Sequence, residues 1–151
     1  MTLTTDQYWM QYLLDKLTTT EVDVPIAACA VDAEQNLIAF AKNQTIAMND
    51  PTAHAEIELL RILANKLSNY RLPNITVYVT LEPCIMCYGA LLQARVARLV
   101  YACDDSKFGV LSKHDGLHAL GEFNHKLAWS SGVCAREASE LLKQFFRARR
   151  S

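Results

Sequence analysis

The segment "DPTAHAEIELL" (residues 50–60) places His54 and Glu56 at the start of an apolar pattern with helical spacing. In a helix interior, positions i and i+2 point roughly 200° apart, so the two side chains could not face one site from there. At the very start of a helix this constraint relaxes, because one residue can lie at the cap and the longer glutamate can fold back. The spacing therefore permits one shared site without requiring it.

A second segment, "LEPCIMC" (residues 81–87), places Cys84 and Cys87 three positions apart in the first turn of a predicted helix. Both sulfurs then project from one side of that helix, and its positive end favours their thiolate forms. Two thiolates and a neutral imidazole from His54 form a ligand set suited to zinc, with the fourth tetrahedral position left for water. Structural zinc normally has four protein ligands, so three ligands indicate catalysis.

Glu56 is the candidate for the proton transfers that such a site needs. Zinc lowers the pKa of a bound water from roughly 15.7 toward about 7, which supplies hydroxide at neutral pH. A nearby carboxylate that is not a ligand can accept the proton and pass it to a leaving group. A C-x-x-C pair alone is more often a redox pair or half of a closed zinc site, so the prediction depends on both segments together.

The hydrophobic pattern of the whole chain predicts the order α-β-β-α-β-α-β-β-α, which favours one mixed sheet with helices on its faces. A hairpin is expected between the first two strands, because the residues between them are polar. The predicted elements are a helix in "YWMQYLLDKL" (8–17), strands in "IAACAV" (26–31) and "LIAFA" (37–41), a helix ending near Leu67, a strand at 75–81, a helix in "PCIMCYGALLQAR" (83–95), strands in "RLVYAC" (98–103) and "KLAWSS" (126–131), and a helix in "CAREASELLKQFFRARR" (134–150).

Capping residues refine two of these helices. Thr4 or Thr5 is expected to cap the first helix, and the 21–25 stretch is expected to end it. Asp50 and Thr52 are the candidate caps of the second helix, because the proline between them suits a first helical turn.

Length and composition are those of an ordinary globular protein: 151 residues, 51% hydrophobic and 21% charged. We therefore expect one domain that spans residues 1–151. The longest apolar runs are far too short to cross a membrane, and the first residues do not resemble a signal peptide. With five cysteines and no export signal, we expect reduced thiols and a cytoplasmic location. A net charge of −1 means that any nucleic-acid contact must depend on a local basic patch.

The two segments together match the H-x-E…P-C-x-x-C signature of zinc deaminases, in which the glutamate is not a ligand. The match extends to "NDPTAHAEI" (49–57), "NYRL" (69–72), "VYVTLEPC" (77–84), "MCYGAL" (86–91), "RVARLVYAC" (95–103), "FNH" (123–125) and "FFRARR" (145–150). From about Val24 to Arg150 the chain resembles bacterial tRNA-specific adenosine deaminases. These enzymes convert the wobble adenosine of a tRNA anticodon to inosine.

The resemblance implies a three-layer α/β/α, cytidine-deaminase-like fold with a five-stranded mixed sheet. It implies one zinc per subunit, held by His54, Cys84 and Cys87, which activates a water to attack the six-position carbon of adenine. Glu56 would carry the proton to the ring nitrogen and then to the departing ammonia. It also implies a homodimer whose RNA site uses both subunits, and a tRNA anticodon loop as partner, with an arginine acceptor expected. DNA is not expected as the natural substrate.

Substrate contacts are implied by the resemblance at Asn43, expected to hydrogen-bond the flipped base or its ribose, and at Ile26, Asp105, Lys107, Asn124, His125, Phe146, Arg149 and Arg150. Phe146, Arg149 and Arg150 gain support from the sequence, because four basic residues and two phenylalanines cluster after the final acidic residue, Glu140. Such a segment can contact phosphates and stack on splayed bases. Structural alternatives remain: at least one of Phe145 and Phe146 is expected to pack the last helix, and Asp105 and Lys107 can be turn residues.

Several positions depart from the family pattern. Tyr88 replaces a small residue after the second cysteine, and Ala28 and Cys29 lie in a strand near the expected base. Residues 110–123 match only loosely. Cys29, Cys103 and Cys134 are expected to be small core residues, and His114, His118 and His125 are expected to be surface or core-edge residues and not metal ligands.

Two alternative functions remain. The first is a zinc deaminase of a free nucleobase or nucleoside, of the guanine or cytosine type, which would not need the basic aromatic end. The second is a non-catalytic RNA-binding module with structural zinc, although such a module would have no use for the carboxylate of Glu56.

Overall fold

The fold was analysed in a computed structural model, which describes residues 2–113 and 125–150. The order of its helices and strands confirms the predicted succession. The elements are α1 (Thr5–Asp15), β1 (Ala27–Val31), β2 (Leu37–Lys42), α2 (Ala55–Leu67), β3 (Thr76–Leu81), α3 (Ile85–Gln93), β4 (Arg98–Cys103), β5 (Ala128–Ser130) and α4 (Ala135–Arg150).

The strands form one five-stranded mixed sheet in the order β2-β1-β3-β4-β5. Strand β1 pairs antiparallel with both β2 and β3, so the predicted hairpin is confirmed. Strands β3, β4 and β5 run parallel to one another. The carboxyl ends of β3 and β4 therefore meet at one edge of the sheet, where open α/β sheets commonly bind ligands.

Helices cover both faces of the sheet, and strand β1 shows how its residues divide between them. Ala28 and Ala30 belong to a buried cluster with α2 and α3, whereas Ala27, Cys29 and Val31 belong to a second cluster with α1 and α4. This alternation is expected of a strand buried on both faces. The three-layer α/β/α fold predicted from the resemblance is thus confirmed.

The predicted end of the first helix and the predicted caps of the second are wrong. Thr4 caps α1 through a capping box, as expected, but the helix ends at Asp15, well before the 21–25 stretch. Neither Asp50 nor Thr52 caps α2, because the carboxylate of Asp50 instead accepts hydrogen bonds from the backbone N–H and hydroxyl of Thr52. These bonds close a turn before the helix, which consequently begins only at Ala55.

An ion pair ties α1 to the sheet on the face opposite α2 and α3. The Arg98 guanidinium donates to both Asp6 oxygens, at 2.9 and 2.7 Å, and the Tyr78 hydroxyl donates to the same carboxylate at 2.8 Å. Bidentate arginine–carboxylate geometry fixes orientation as well as distance. Among the helices of the described residues, none is both long and apolar enough to span a membrane.

Candidate metal centre

His54 lies at the N-cap of α2, which resolves the spacing problem between it and Glu56. Its backbone is extended, with φ −65° and ψ 155°, while its carbonyl already accepts the first helical hydrogen bond from Glu58, at 3.0 Å. The imidazole makes no capping hydrogen bond and can therefore face away from the helix end. Glu56 follows as the second helical residue, so the two side chains are not constrained to the angles of a helix interior.

Cys84 occupies the equivalent position at the start of α3. It is the N-cap, with φ −79° and ψ 177°, and its carbonyl accepts a hydrogen bond from the Tyr88 amide at 2.9 Å. Cys87 is the third residue of the helix and is fully buried. An N-cap side chain and that of the third helical residue both lie at the helix end, which brings the two sulfurs to one place.

The two helix ends bring together one imidazole and two thiols. The Nδ1 atom of His54 lies 3.6 Å from Sγ of Cys84 and 3.5 Å from Sγ of Cys87. Zinc binds cysteine sulfur at about 2.3 Å and histidine nitrogen at about 2.0–2.1 Å, so tetrahedral coordination separates the two atoms by about 3.6 Å. Among the described residues this group of potential ligands has three members, all within 4.8 Å of one another. The donor set therefore fits zinc with one position left for another ligand.

The electrostatics of the group also favour a cation. Hydrogen bonding with Cys87, opposed by burial and supported by His54, lowers the pKa of Cys84 to about 4. Hydrogen bonding with Cys84, together with burial and the nearby Glu56, raises the pKa of Cys87 far above its usual range. The first thiolate thus opposes ionisation of the second, because two adjacent negative charges repel each other. A divalent cation would remove this conflict.

Glu56 is a buried carboxyl group beside the three potential ligands but not one of them. Only 4% of its surface is exposed, and burial, with a further contribution from Cys84, raises its pKa to about 7. A carboxyl group with a pKa near neutrality can both accept and donate a proton at physiological pH. This is the property expected of a general acid/base.

Asn43 lies at the end of β2, beside the turn that leads to α2. Its amide donates to the Ile26 carbonyl at 3.0 Å, and its side-chain Nδ2 donates to the Val24 carbonyl at 3.3 Å. The next amide, that of Gln44, donates to the Ala53 carbonyl at 2.9 Å, directly before the imidazole of the group. The Oδ1 atom is buried and has no hydrogen-bond partner among the described residues. Buried polar atoms are normally paired, so Oδ1 is available to a ligand.

Comparisons with known proteins agree with this site. The MafB19-like deaminase family matches residues 4–150. A tRNA-specific adenosine deaminase of Haemophilus influenzae is 43% identical over 147 residues, which cover 96% of this chain and 85% of that protein.

The chain belongs to the tRNA-specific adenosine deaminase family.

Solved structures place this family member among deaminases. A structure from work on A-to-I editing by tRNA:A34 deaminases at the wobble position of transfer RNA has a TM-score of 0.75 and 33% identity. It covers 90% of this chain and 94% of its own. Guanine deaminase from Nitrosomonas europaea has a TM-score of 0.78 and 25% identity, and covers 96% of this chain and 86% of its own. The fold is thus shared by enzymes with different substrates, and substrate choice must come from the residues around the site.

The basic end of α4 in this family member is partly occupied by internal contacts. Phe145 is buried, whereas 43% of Phe146 is exposed, so one of the two aromatic residues packs the helix, as expected. The Arg149 guanidinium lies 4.7 Å from the Phe145 ring centroid and donates to the carbonyls of Glu21 and Val22, at 2.6 and 3.1 Å. Arg150 is exposed. Arg149 therefore anchors the helix end, while Phe146 and Arg150 remain open to a partner.

The other predicted RNA contacts lie in two loops. The side chain of Asp105 accepts hydrogen bonds from the amides of Lys107, at 3.0 Å, and Phe108, at 3.2 Å, so it shapes a turn. Lys107 is exposed at the tip of that turn. The Nε2 atom of His125 donates to the Val96 carbonyl at 2.7 Å, which fixes this imidazole to the segment before β4. Asn124, also predicted to contact RNA, lies outside the described residues.

The positions that depart from the family pattern are mostly core residues. Tyr88 is buried among residues of the sheet, α2 and α3. Cys29 faces the opposite side of the sheet, with α1 and α4, so the expectation that it lies near the base is wrong. Cys103 is buried, as predicted, whereas Cys134 is half-buried.

Two buried carboxylates near the site were not predicted from the sequence. Asp23 accepts hydrogen bonds from the hydroxyl of Thr45 and from the amides of Ile46 and Ala47, and so fixes the loop that follows Asn43. Glu82, two residues before Cys84, bonds the loop that follows β4. A charged residue between a buried strand and a helix, as in "VYVTLEPC", is the signal that could have indicated Glu82.

Proposed function

We propose that this chain is a zinc-dependent hydrolase that deaminates adenosine to inosine at the wobble position of a tRNA anticodon. The observation that carries the proposal is the group of three potential ligands with a buried carboxyl group beside it that is not a ligand. Its relatives named tRNA-specific adenosine deaminase cover most of the chain and supply the substrate class.

The ligands of the proposed zinc are Nδ1 of His54 and the sulfurs of Cys84 and Cys87. When bound, zinc would lower the pKa of a water from roughly 15.7 toward about 7 and provide hydroxide at neutral pH. Because the two cysteines and the histidine come from two helix ends fixed by the sheet, their positions do not depend on a mobile loop. Preorganisation of this kind limits the rearrangement needed when substrate arrives.

Glu56 would act as the general acid/base. Its carboxylate would take a proton from the attacking water and pass it to the adenine ring nitrogen. It would then take the second proton, from the hydroxyl group newly bonded to the base carbon, and donate it to the amine, which leaves as ammonia. The pKa of about 7 supports this role, because both protonation states are then populated at physiological pH. Burial of the carboxyl group also keeps bulk water away from the transferred proton.

Asn43 and Ile26 would form the wall of the base pocket. The unpaired Oδ1 of Asn43 would accept a hydrogen bond from the flipped nucleotide. The target base must first leave its stack, at a cost of a few kcal/mol that is smallest in a loop. An anticodon loop therefore fits the proposed reaction better than a duplex does.

RNA would be held by exposed side chains around this pocket. Lys107, Phe146 and Arg150 are open to solvent and can contact phosphates or bases. We also expect a homodimer, as the family resemblance implies, and a cytoplasmic location, where the tRNA substrate is found. DNA is not expected as the natural substrate.

Incubation of the zinc-loaded protein with an anticodon stem-loop bearing a wobble adenosine would test the proposal. Inosine should form, and a stem-loop with guanosine at that position serves as the matched control. Product from free guanine or cytosine, but not from the stem-loop, would support a free-base deaminase instead. That alternative is kept because guanine deaminase shares the fold closely, at a TM-score of 0.78. No turnover of any of these substrates would favour a non-catalytic RNA-binding module.

A further inference from the structure

A single buried carboxylate joins the two ends of the 105–112 loop, which follows β4; these two ends are the neck of the loop. Glu82 is only 2% exposed, and its two oxygens receive four hydrogen bonds. Oε1 accepts from the Asp105 amide at 2.9 Å and from the Ser112 hydroxyl at 2.7 Å. Oε2 accepts from the amides of Leu111, at 2.8 Å, and Ser112, at 2.7 Å. Because the donors come from both ends of the loop, the carboxylate joins residues 105 and 111–112.

Gly109 lies against this carboxylate and leaves no room for a side chain. A Cβ atom added at this position would overlap the oxygens of Glu82. The backbone of Gly109 is not in the left-handed region, so the position requires glycine for its close approach and not for its dihedral angles. The loop and the carboxylate thus fit together as one unit.

The base of the loop is buried and its tip is exposed. Val110 and Leu111 belong to the core beside α2 and α3, and the Val110 amide lies 3.4 Å from the carbonyl of Pro83, next to Cys84. At the tip, Lys107 is exposed and Phe108 is 68% exposed. An exposed cation beside an exposed aromatic ring can contact a phosphate and stack on a base. The base of the loop therefore contacts the segment that carries Cys84, and its tip exposes a cation and an aromatic ring to solvent.

We propose that Glu82 is a positioning residue for the RNA substrate: it closes the 105–112 loop so that Phe108 and Lys107 are held toward a nucleotide that flanks the target adenosine. The inference rests on the proposed function, since it assumes an RNA substrate. Phe108 is the stacking residue of this arrangement, and Glu82 itself touches neither RNA nor metal. Its effect on the reaction passes through the loop.

The test variant is Glu82→Gln, which preserves side-chain size but replaces one acceptor oxygen by a donor NH₂ group. Of the four donors, only the Ser112 hydroxyl can accept a hydrogen bond instead, so the NH₂ group should take the place of Oε1, which faces that hydroxyl. The Asp105 amide, which also bonds Oε1, then loses its acceptor, and the two ends of the loop separate. Hydrogen exchange of residues 104–113 should become faster. The KM for the stem-loop should rise about tenfold, the size expected for loss of one base–aromatic stack, with kcat changed much less. Zinc content should equal that of the wild type.

A matched control is Asp32→Asn, which makes the same chemical change in the β1–β2 hairpin. The Asp32 carboxylate also accepts backbone hydrogen bonds, from Glu34 and Asn36 at 3.0 and 2.9 Å, but far from the candidate site. This variant should leave KM unchanged. If hydrogen exchange of residues 104–113 is unchanged in Glu82→Gln, Glu82 does not hold the two ends of the loop together. If hydrogen exchange is faster but the KM is unchanged, Glu82 does not position the RNA.

Phe108→Ala keeps the inference testable even if Glu82→Gln folds poorly, because an exposed ring contributes little to stability. It should also raise KM about tenfold without altering hydrogen exchange at the loop neck. In the double variant the two effects should not add, since Glu82 acts by presenting Phe108. Fully additive effects would contradict the inference. If the wild type itself makes no inosine, the proposed function fails, whereas an active wild type with an unaffected Phe108→Ala variant contradicts only the stacking role.

Discussion

The candidate metal centre and the basic end of α4 differ in what fixes their side chains. At the metal centre, two helix N-termini bring three potential ligands within 4.8 Å of one another, an arrangement that the spacing of these residues along the chain permits. At the end of α4, two neighbouring exposed arginines differ in their partners: Arg149 bonds two carbonyls of a distant segment, whereas Arg150 has no such bond within the described residues.

This difference shows where local sequence is informative. A helix start has fixed geometry, so residues at the cap and in the first turn have predictable directions. A surface helix presents many equivalent positions, and the segment that happens to pack against them decides which side chains stay free. Variants at the two regions should therefore differ in the kind of effect as well as in its size.

The largest effect is expected for Cys87→Ala, which removes one of the three potential ligands. The protein should lose bound zinc and with it all deamination of the stem-loop, because two ligands do not hold the ion tightly. Elemental analysis and the inosine assay measure the two losses. Cys134→Ala is the matched control, since this half-buried cysteine lies outside the group and should retain full zinc content. Equal zinc in Cys87→Ala and the wild type would contradict the ligand set.

Glu56→Ala should separate catalysis from metal binding. Removal of a general acid/base that is not a ligand is expected to lower kcat by about 10²–10⁴-fold while zinc stays bound. Single-turnover inosine formation and metal analysis on the same sample give both quantities. Glu58→Ala removes a carboxylate from the same helical turn and should keep most activity. Loss of zinc from Glu56→Ala would show instead that Glu56 contributes to metal binding.

At the end of α4, Arg150→Ala and Arg149→Ala should have different effects. Arg150→Ala should weaken stem-loop binding several-fold and reduce the slope of log affinity against log salt concentration by about one, with unchanged stability. Arg149→Ala should lower the free energy of unfolding by about 1 kcal/mol, because it removes the bonds to Glu21 and Val22. Fluorescence anisotropy over a salt series and urea unfolding test the pair. If the slope of log affinity against log salt concentration is unchanged in Arg150→Ala, Arg150 does not contact RNA phosphates.

The smallest effect on chemistry is expected for Asp6→Asn, on the face opposite the metal centre. The hydrogen bonds from Arg98, opposed by burial and supported by Tyr78, hold the pKa of Asp6 below its usual range. The stability that this carboxylate contributes is therefore present above its unfolded pKa of about 3.9 and is lost as pH falls through the lower folded value. In urea unfolding with EDTA at neutral pH, the free energy of unfolding of Asp6→Asn should be about 1 kcal/mol lower than that of the wild type. The difference is small because the ion pair is partly exposed to solvent.

That difference in stability should shrink as the pH falls below the unfolded pKa of about 3.9 and should continue to shrink as the pH passes through the lower folded pKa. Zinc content and stem-loop activity of Asp6→Asn should match the wild type at neutral pH. A pH-independent difference would mean that the charge of Asp6 does not contribute, and altered activity would mean that the two faces of the sheet are coupled.

Much of the fold could be predicted because its signals are local. Within the described residues, the apolar strands and the helical patterns predicted the elements in the correct order, since a segment buried on both faces or along one stripe has a recognisable composition. The errors lie at element ends. The turn closed by Asp50 and Thr52 delays α2 to Ala55, because the polar side chains that can cap a helix can equally close a turn.

The site could be predicted in part for the same reason. His54, Cys84 and Cys87 lie within short motifs, and the structure brings the three together. The roles of Glu82 and Asp23 could not be predicted, because their partners lie in other segments: Glu82 bonds residues 23 to 30 positions later in the chain, and Asp23 bonds residues 22 to 24 positions later. Nothing in the spacing of a single carboxylate identifies the amides that it will meet.

The amino-acid sequence alone determined the residue types that can hold zinc, their place at two helix starts, and the succession of strands and helices, because each depends on neighbours within a few positions. Only the tertiary structure decided which carboxylates close the loops around the site, which arginine at the end of α4 bonds a distant segment, and which face of β1 packs against α2 and α3. Those outcomes depend on the packing of segments that are distant in the chain, and packing is a property of the whole folded molecule.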